Sequence, residues 1–161
     1  MHLPRGAPYR QCCAGAFGDV WMATMIQGDG QNHAIKVLDK AHIAQTDTLS
    51  NVLEEKKVLK MCHDPTPTPF IVQLKYAFQD EKKLYLVLSL VEGGDLYTNL
   101  DKQPSKCFDI ETVRFYTAEI LAALQWMHEK RIAYRDLKAE NVLVCTLPFD
   151  ARSCNDVLFV R

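Results

Sequence analysis

The feature that most constrains this chain is a change of period. Up to about residue 90 the apolar residues come in short runs of strand length, with one helical stretch among them. From Ile110 to Glu129 they recur every three or four residues. Glu92-Gly93-Gly94-Asp95 separates the two regimes as a candidate hinge. Strands first and helices after predict an α+β fold with the two kinds of structure segregated.

In the first part, Phe17–Met25 and His33–Leu38 read as strands. They are joined by Gln27-Gly28-Asp29-Gly30-Gln31, whose Asp-Gly dipeptide is a hairpin turn signal. Ser50–Cys62 reads as a helix with Val52, Glu55, Leu59 and Cys62 on one face. Asp64-Pro65-Thr66-Pro67-Thr68-Pro69 is a loop, because proline cannot donate to a ladder. Ile71–Phe78 and Leu84–Leu90 are strands joined by the polar turn Asp80–Lys83, and the second is apolar on both faces, as a central strand is. Leu96–Leu100 starts a short helix. Asp109 caps the long one, whose apolar face carries Val113, Tyr116, Ile120, Leu124 and Met127. Residues 1–12 read as an irregular leader, and 145–161 show no pattern.

Composition removes several classes of function. The 161 residues carry a net charge of −1, with 48% hydrophobic and 24% charged residues. These are values of an ordinary globular domain, without the basic balance of a nucleic-acid binder. The opening residues lack the apolar core of an export signal, and the longest apolar run, Leu84–Val91, is broken by Ser89. An intracellular, cytoplasmic location with no membrane and no nucleic-acid partner is expected. The six cysteines show no C-x-x-C pair, so free thiols are expected rather than disulfides. Cys62-His63-Asp64 is a poor metal set, since consecutive residues rarely converge on one ion.

Four features bear on chemistry. In Gly15-Ala16-Phe17-Gly18-Asp19-Val20 the glycines let backbone N–H groups approach a phosphate, though an ordinary turn has the same look. Lys36, in Ala34-Ile35-Lys36, projects from a strand toward whatever that turn covers, or is simply solvated. Glu55 interrupts an apolar stripe, either pairing locally with Lys56 or meeting Lys36 as the partner a buried ammonium needs. Finally, Tyr134-Arg135-Asp136-Leu137-Lys138-Ala139-Glu140-Asn141 gathers an acid that accepts a hydroxyl proton, a cation for phosphate and an amide oxygen for Mg²⁺. The bland alternative is a charged surface loop.

Taken together and in this order, the strand lysine, the helix glutamate and the R-D-L-K-A-E-N loop resemble a eukaryotic protein kinase. Lys138 is similar to the serine/threonine branch. Tyr134, Leu84-Tyr85-Leu86-Val87 and Glu92-Gly93-Gly94-Asp95-Leu96 look most like the AGC group, which holds the cyclic-nucleotide-dependent kinases, protein kinase C and the ribosomal S6 kinases. The resemblance implies a protein-kinase-like α+β fold: a five-stranded antiparallel N-lobe sheet with one main helix, then the first part of a helical C-lobe. It implies ATP and Mg²⁺ as cofactors and a protein substrate with basic residues near the phosphorylated one. Gly15, Phe17, Gly18 and Val20 would cover the nucleotide, and Ala34 and Leu143 would line the adenine site. Leu88 would be the gatekeeper, with Ser89, Leu90 and Val91 as the hinge. Lys36, oriented by Glu55, would hold the α- and β-phosphates, and Asp95 would reach the ribose. Asp136 would be the catalytic base, Lys138 would touch the γ-phosphate, Asn141 would bind the metal, and Glu140 would read a substrate arginine.

The resemblance runs from Cys13 to Val144 and implies an N-lobe and hinge over 13–91, the start of a C-lobe over 92–144, and a divergent tail over 145–161. Cys13 stands where the family's first loop glycine falls. A D-F-G is expected about eighteen residues after Asp136, near Cys154, and none is there; Asp156 has no Phe-Gly after it. Two functions stay open: a serine/threonine protein kinase, with the activity of this truncated form left undecided, or a non-catalytic nucleotide-binding or regulatory fragment. With later helices missing, Ile120, Leu124 and Met127 are expected to be exposed, leaving a poorly stable chain.

Overall fold

The computed structural model describes residues 10–15, 18–25, 30–62, 70–145 and 158–159. The chain divides into two compact units, 1–64 with 73–90, and 65–72 with 91–161.

The first unit is a five-stranded antiparallel sheet: β1 (Arg10–Gly15), β2 (Gly18–Thr24), β3 (Asn32–Asp39), β4 (Leu74–Gln79) and β5 (Lys83–Ser89), in the order β1-β2-β3-β5-β4. Two helices accompany it, α1 (Lys40–Gln45) and α2 (Leu49–Met61). Register and pleat divide the side chains between two faces. Val20 pairs with Lys36 and Lys36 with Leu86, while Met22 pairs with Ala34 and Ala34 with Leu88. Strand alternation places those six on one face. Ala23, Ile35, Tyr85 and Val87 form a buried cluster on the other, with Val37 and Phe78 against it. The turn between β4 and β5 is organised by Asp80, which accepts from the amides of Lys82 (2.8 Å) and Lys83 (2.7 Å) and from the Tyr85 hydroxyl (2.8 Å).

Two expectations need correction here. The irregular leader does not extend to residue 12, because β1 begins at Arg10 and pairs with β2 through a bulge between Gln11 and Cys13. Alternation is hidden by that bulge and by the paired cysteines. Helix α1 was also not expected. Six residues are too few to show a period, but Asp39 caps it, accepting from the amides of Ala41 (2.8 Å) and His42 (3.2 Å). The Asp-Gly turn, the proline loop, His63 and Asp64 fall wholly or largely outside the described residues.

The second unit holds α3 (Leu96–Asp101), α4 (Ile110–Glu129), a 3₁₀ turn (Ala139–Asn141) and a short antiparallel pair of β6 (Val142–Leu143) and β7 (Leu158–Phe159). Asp109 caps α4 as expected, accepting from Thr112 N (2.9 Å), and the helix ends where Arg131 turns to φ +59°. The buried face is largely the one expected: Met127 is buried and Tyr116, Ile120 and Leu124 are half-buried. The expected exposure of Ile120, Leu124 and Met127 is thereby corrected, and only Val113 departs from the stripe. Ala123 and Met127 are buried together with Glu119, whereas Val113 is 42% exposed and Ile110, Phe115 and Leu121 are exposed outright. Glu119 and Ala123 widen that face by one row. Of the tail, the described residues Leu158–Phe159 pair with β6.

The expectation of free thiols holds for Cys62 and Cys107 but not for Cys145, which is disulfide-bonded.

Candidate functional site

In the first unit the site residues lie on the α2 side of the sheet. Lys36 is 6% exposed, and its Nζ lies 2.6 Å from Glu55 Oε1 on α2. The α2 stripe expected from sequence brings Glu55 there: Val52 and Leu59 are buried on either side of it, and Cys62 follows with no exposed surface. Glu55 therefore meets Lys36 rather than Lys56. Val20, Ala34 and Leu88 share the Lys36 face through the register given above. Leu88 is 2% exposed and closes the end of β5. Ser89 donates its amide to Gln73 O (2.9 Å) and accepts from Gln73 N at its hydroxyl (3.1 Å), so the Ser89 N–H is committed within the sheet. Gly15 and Gly18 face one another at the closed end of the β1–β2 hairpin. Phe17 lies outside the described residues.

In the second unit three of the expected residues converge. Asn141 is 7% exposed, and its Nδ2 donates to Asp136 Oδ2 and to Asp136 O, both at 2.8 Å. Lys138 Nζ lies 3.4 Å from Asp136 Oδ1. Asp136 thus has one carboxylate oxygen held by an amide and the other beside an ammonium. The 3₁₀ turn that follows makes this local, because Asn141 N donates to Lys138 O (2.9 Å) and folds the amide back over Asp136. Arg135, at φ +65°, turns the chain immediately before the acid. Glu140 is exposed on the same turn.

Asp95 sits elsewhere in this unit, as the cap of α3. Its Oδ1 accepts from Thr98 N and its Oδ2 from Thr98 Oγ1, each at 2.7 Å. Burial raises its pKa, but the two Thr98 bonds outweigh burial and hold the carboxyl below the usual range. Asp95 also forms an antiparallel bridge with Leu143, beside Val142, which is 1% exposed. Val91 is half-buried and precedes this segment.

A divalent metal ion suits part of this set. Both Asn141 amide protons are spent on Asp136, leaving Oδ1 as a hard oxygen donor of the kind such a cation takes. Among the described residues no three His, Cys, Asp or Glu side chains cluster as metal ligands.

A buried strand lysine paired with a helix glutamate, and an Asp-Lys-Asn cluster in a loop after a long helix, define a protein kinase domain. The chain belongs to that family: the protein kinase domain matches residues 9–148. Relatives include the serine/threonine protein kinase ypkA of Aspergillus fumigatus and the cAMP-dependent protein kinase catalytic subunit of Dictyostelium discoideum. Each is 44% identical over 81% of this chain and 19% of its own length. Human ribosomal protein S6 kinase alpha-2 is 42% identical over 81% of this chain and 17% of its own length. These relatives are of the AGC type. The chain thus spans about a fifth of the length of the relatives it matches. No helix among the described residues is long and apolar enough to cross a membrane.

Proposed function

We propose that this chain carries the nucleotide and transfer residues of a serine/threonine protein kinase, passing the γ-phosphoryl group of ATP to a protein hydroxyl. The observation that carries the reading is Asp136, held by Asn141 at 2.8 Å with Lys138 at 3.4 Å. A carboxylate fixed in this way is oriented to accept the substrate's hydroxyl proton, while the ammonium stands ready for the charge on the γ-phosphate. Mg²⁺ fits the Asn141 Oδ1 donor, and when bound it neutralises charge on the phosphates.

In the first unit, Lys36 is assigned to the α- and β-phosphates, with Glu55 holding its ammonium in place. Val20, Ala34 and Leu88 form an apolar face for adenine, and Gly15, Phe17 and Gly18 form the turn over the phosphates. The backbone of Ser89, Leu90 and Val91 reads the adenine edge, with the Ser89 N–H itself committed to Gln73 O. In the second unit, Asp95 reaches the ribose and Leu143 forms the adenine floor. Exposed Glu140, with Asp95, favours a substrate carrying basic residues near its hydroxyl.

The test pairs two measurements on the full chain: ATP titration with and without Mg²⁺, and phosphoryl transfer to a basic serine peptide. Transfer that Asp136→Asn abolishes supports the reading. Nucleotide binding with no transfer moves the chain to the non-catalytic alternative, and absence of both removes the nucleotide reading.

A further inference from the structure

The segment Gly93–Asp95 is fitted closely to the end of β6. A Cβ on Gly93 would stand 2.0 Å from Val144 O, so nothing larger than hydrogen fits there. Val144 N donates to Gly94 O (2.8 Å), and Asp95 bridges Leu143. Between them, Gly94 at φ +74° is a residue with no side chain to restrain it. Left alone, such a pivot would let Asp95 swing relative to Leu143.

One side chain spans the pivot. Asn99, on α3, donates from Nδ2 to Gly93 O (2.7 Å) and to Asp95 O (2.8 Å). Both partners are carbonyl oxygens, so only the amide nitrogen can face them and the orientation is fixed by chemistry. Thr98 holds the Asp95 carboxylate, and Asn99 holds the main chain on both sides of Gly94. Neither the turn chemistry nor the cap requires an asparagine at this point of the helix. Its two bonds go to the segment that carries the acid assigned to the ribose.

We propose that Asn99 is a positioning residue for nucleotide selection. It fixes Asp95 beside Leu143 so that the ribose hydroxyls meet a preorganised acceptor. The proposal rests on the reading that Asp95 contacts the ribose.

The experiment measures binding of ATP and of 2′,3′-dideoxy-ATP to the full chain, to Asn99→Ala and to Asn99→Leu. The leucine variant keeps a branched side chain and raises helix preference, and a thermal melt of both variants checks that they fold. The expected result is ATP affinity weakened about 5–10-fold in both variants, the scale of one ordinary hydrogen bond, because Asp95 is displaced rather than removed. Affinity for the dideoxy nucleotide should change less than about 2-fold. Equal weakening of both nucleotides assigns Asn99 a structural role only and overturns the proposal. So does full retention of ATP selectivity in both variants. If the unaltered chain fails to distinguish the two nucleotides, the ribose reading of Asp95 fails, and the proposal fails with it.

Discussion

Lys36 Nζ and Glu55 Oε1 meet at 2.6 Å, nineteen residues apart in the chain, with side chains only 8% and 16% exposed. A strand and a helix each place one charge where neither is tolerable alone. Removing one partner leaves the other desolvated, which costs about 3–5 kcal/mol, while replacing both with apolar residues is close to neutral. Glu55→Ala should therefore lower unfolding free energy by about 3–5 kcal/mol in a urea titration. Lys36→Met combined with Glu55→Leu should return to within about 1 kcal/mol of the parent, yet bind ATP no better than the single variants. Recovery of ATP affinity in the double variant would remove Lys36 from the nucleotide site.

Tyr85 provides a pH test of the first unit. Burial pushes its phenol up to about 12, helped by the hydrogen bond it donates to Asp80 and by that carboxylate's charge. A raised pKa in the folded state means the neutral form is the stabilising one. That contribution is complete below the unfolded value of about 10 and is lost as pH rises toward about 12. Stability should fall over that window, and phenolate absorbance should show one tyrosine titrating with the unfolding. In Tyr85→Phe this part of the alkaline loss disappears. A Tyr85 phenol that ionises near 10 without loss of structure would contradict the arrangement.

Much of this fold could be read because its signals are local. The Asp109 cap, the Asp80 turn and the α2 stripe are each written within a few residues, and each is in place. The Lys36–Glu55 pair was legible for a different reason: two polar anomalies in apolar settings resolve each other. Glu119 was missed as part of the buried face of α4 because a carboxylate scores as surface, yet it is 9% exposed. Asn99 carried no signal at all, since its two acceptors are backbone carbonyls and every residue has one. The pairing of β6 with β7 rests on two residues on each side, too short for any periodicity.

The two free thiols whose surroundings are described should differ sharply in reactivity. Cys62 has no exposed surface, and burial pushes its thiol up to about 11, whereas Cys107 is exposed. The thiolate is the attacking species, so Cys62 is both unionised and inaccessible. Iodoacetamide at mildly alkaline pH should label Cys107 rapidly and Cys62 only in denaturant, read from the tryptic peptides. Native labelling of Cys62 at a comparable rate would mean that the C-terminal end of α2 opens.

The adjacent glycines should tolerate substitution very differently. A Cβ on Gly94 meets only Asn99 Nδ2 at 3.8 Å, so Gly94→Ala carries mainly the strain of φ +74°, about 1–2 kcal/mol. Gly93→Ala drives a methyl into the Val144 carbonyl, where backbone must move, and about 3 kcal/mol is expected. Hydrogen exchange should show Val144 N–H losing protection in Gly93→Ala but keeping much of it in Gly94→Ala. The reverse order would mean that Gly93 is not packed against β6.

His33 is a site where the sequence works against stability. It is 6% exposed in β3, opposite Ala23 and Ser89, and neither ring nitrogen has a hydrogen-bond partner. Its cross-strand neighbour Ser89 accepts from Gln73 N at its hydroxyl and makes no bond to either ring nitrogen. A buried polar group left unpaired costs about 1–3 kcal/mol, and an apolar group of similar size removes the penalty. His33→Leu should therefore raise stability by about 1 kcal/mol, a gain of about 2–4 °C in Tm for a chain of this size. His33→Ala should lower it, because a cavity replaces the ring. If His33→Leu melts below the parent, the imidazole has a hydrogen-bonding partner in solution and is not an unsatisfied buried group.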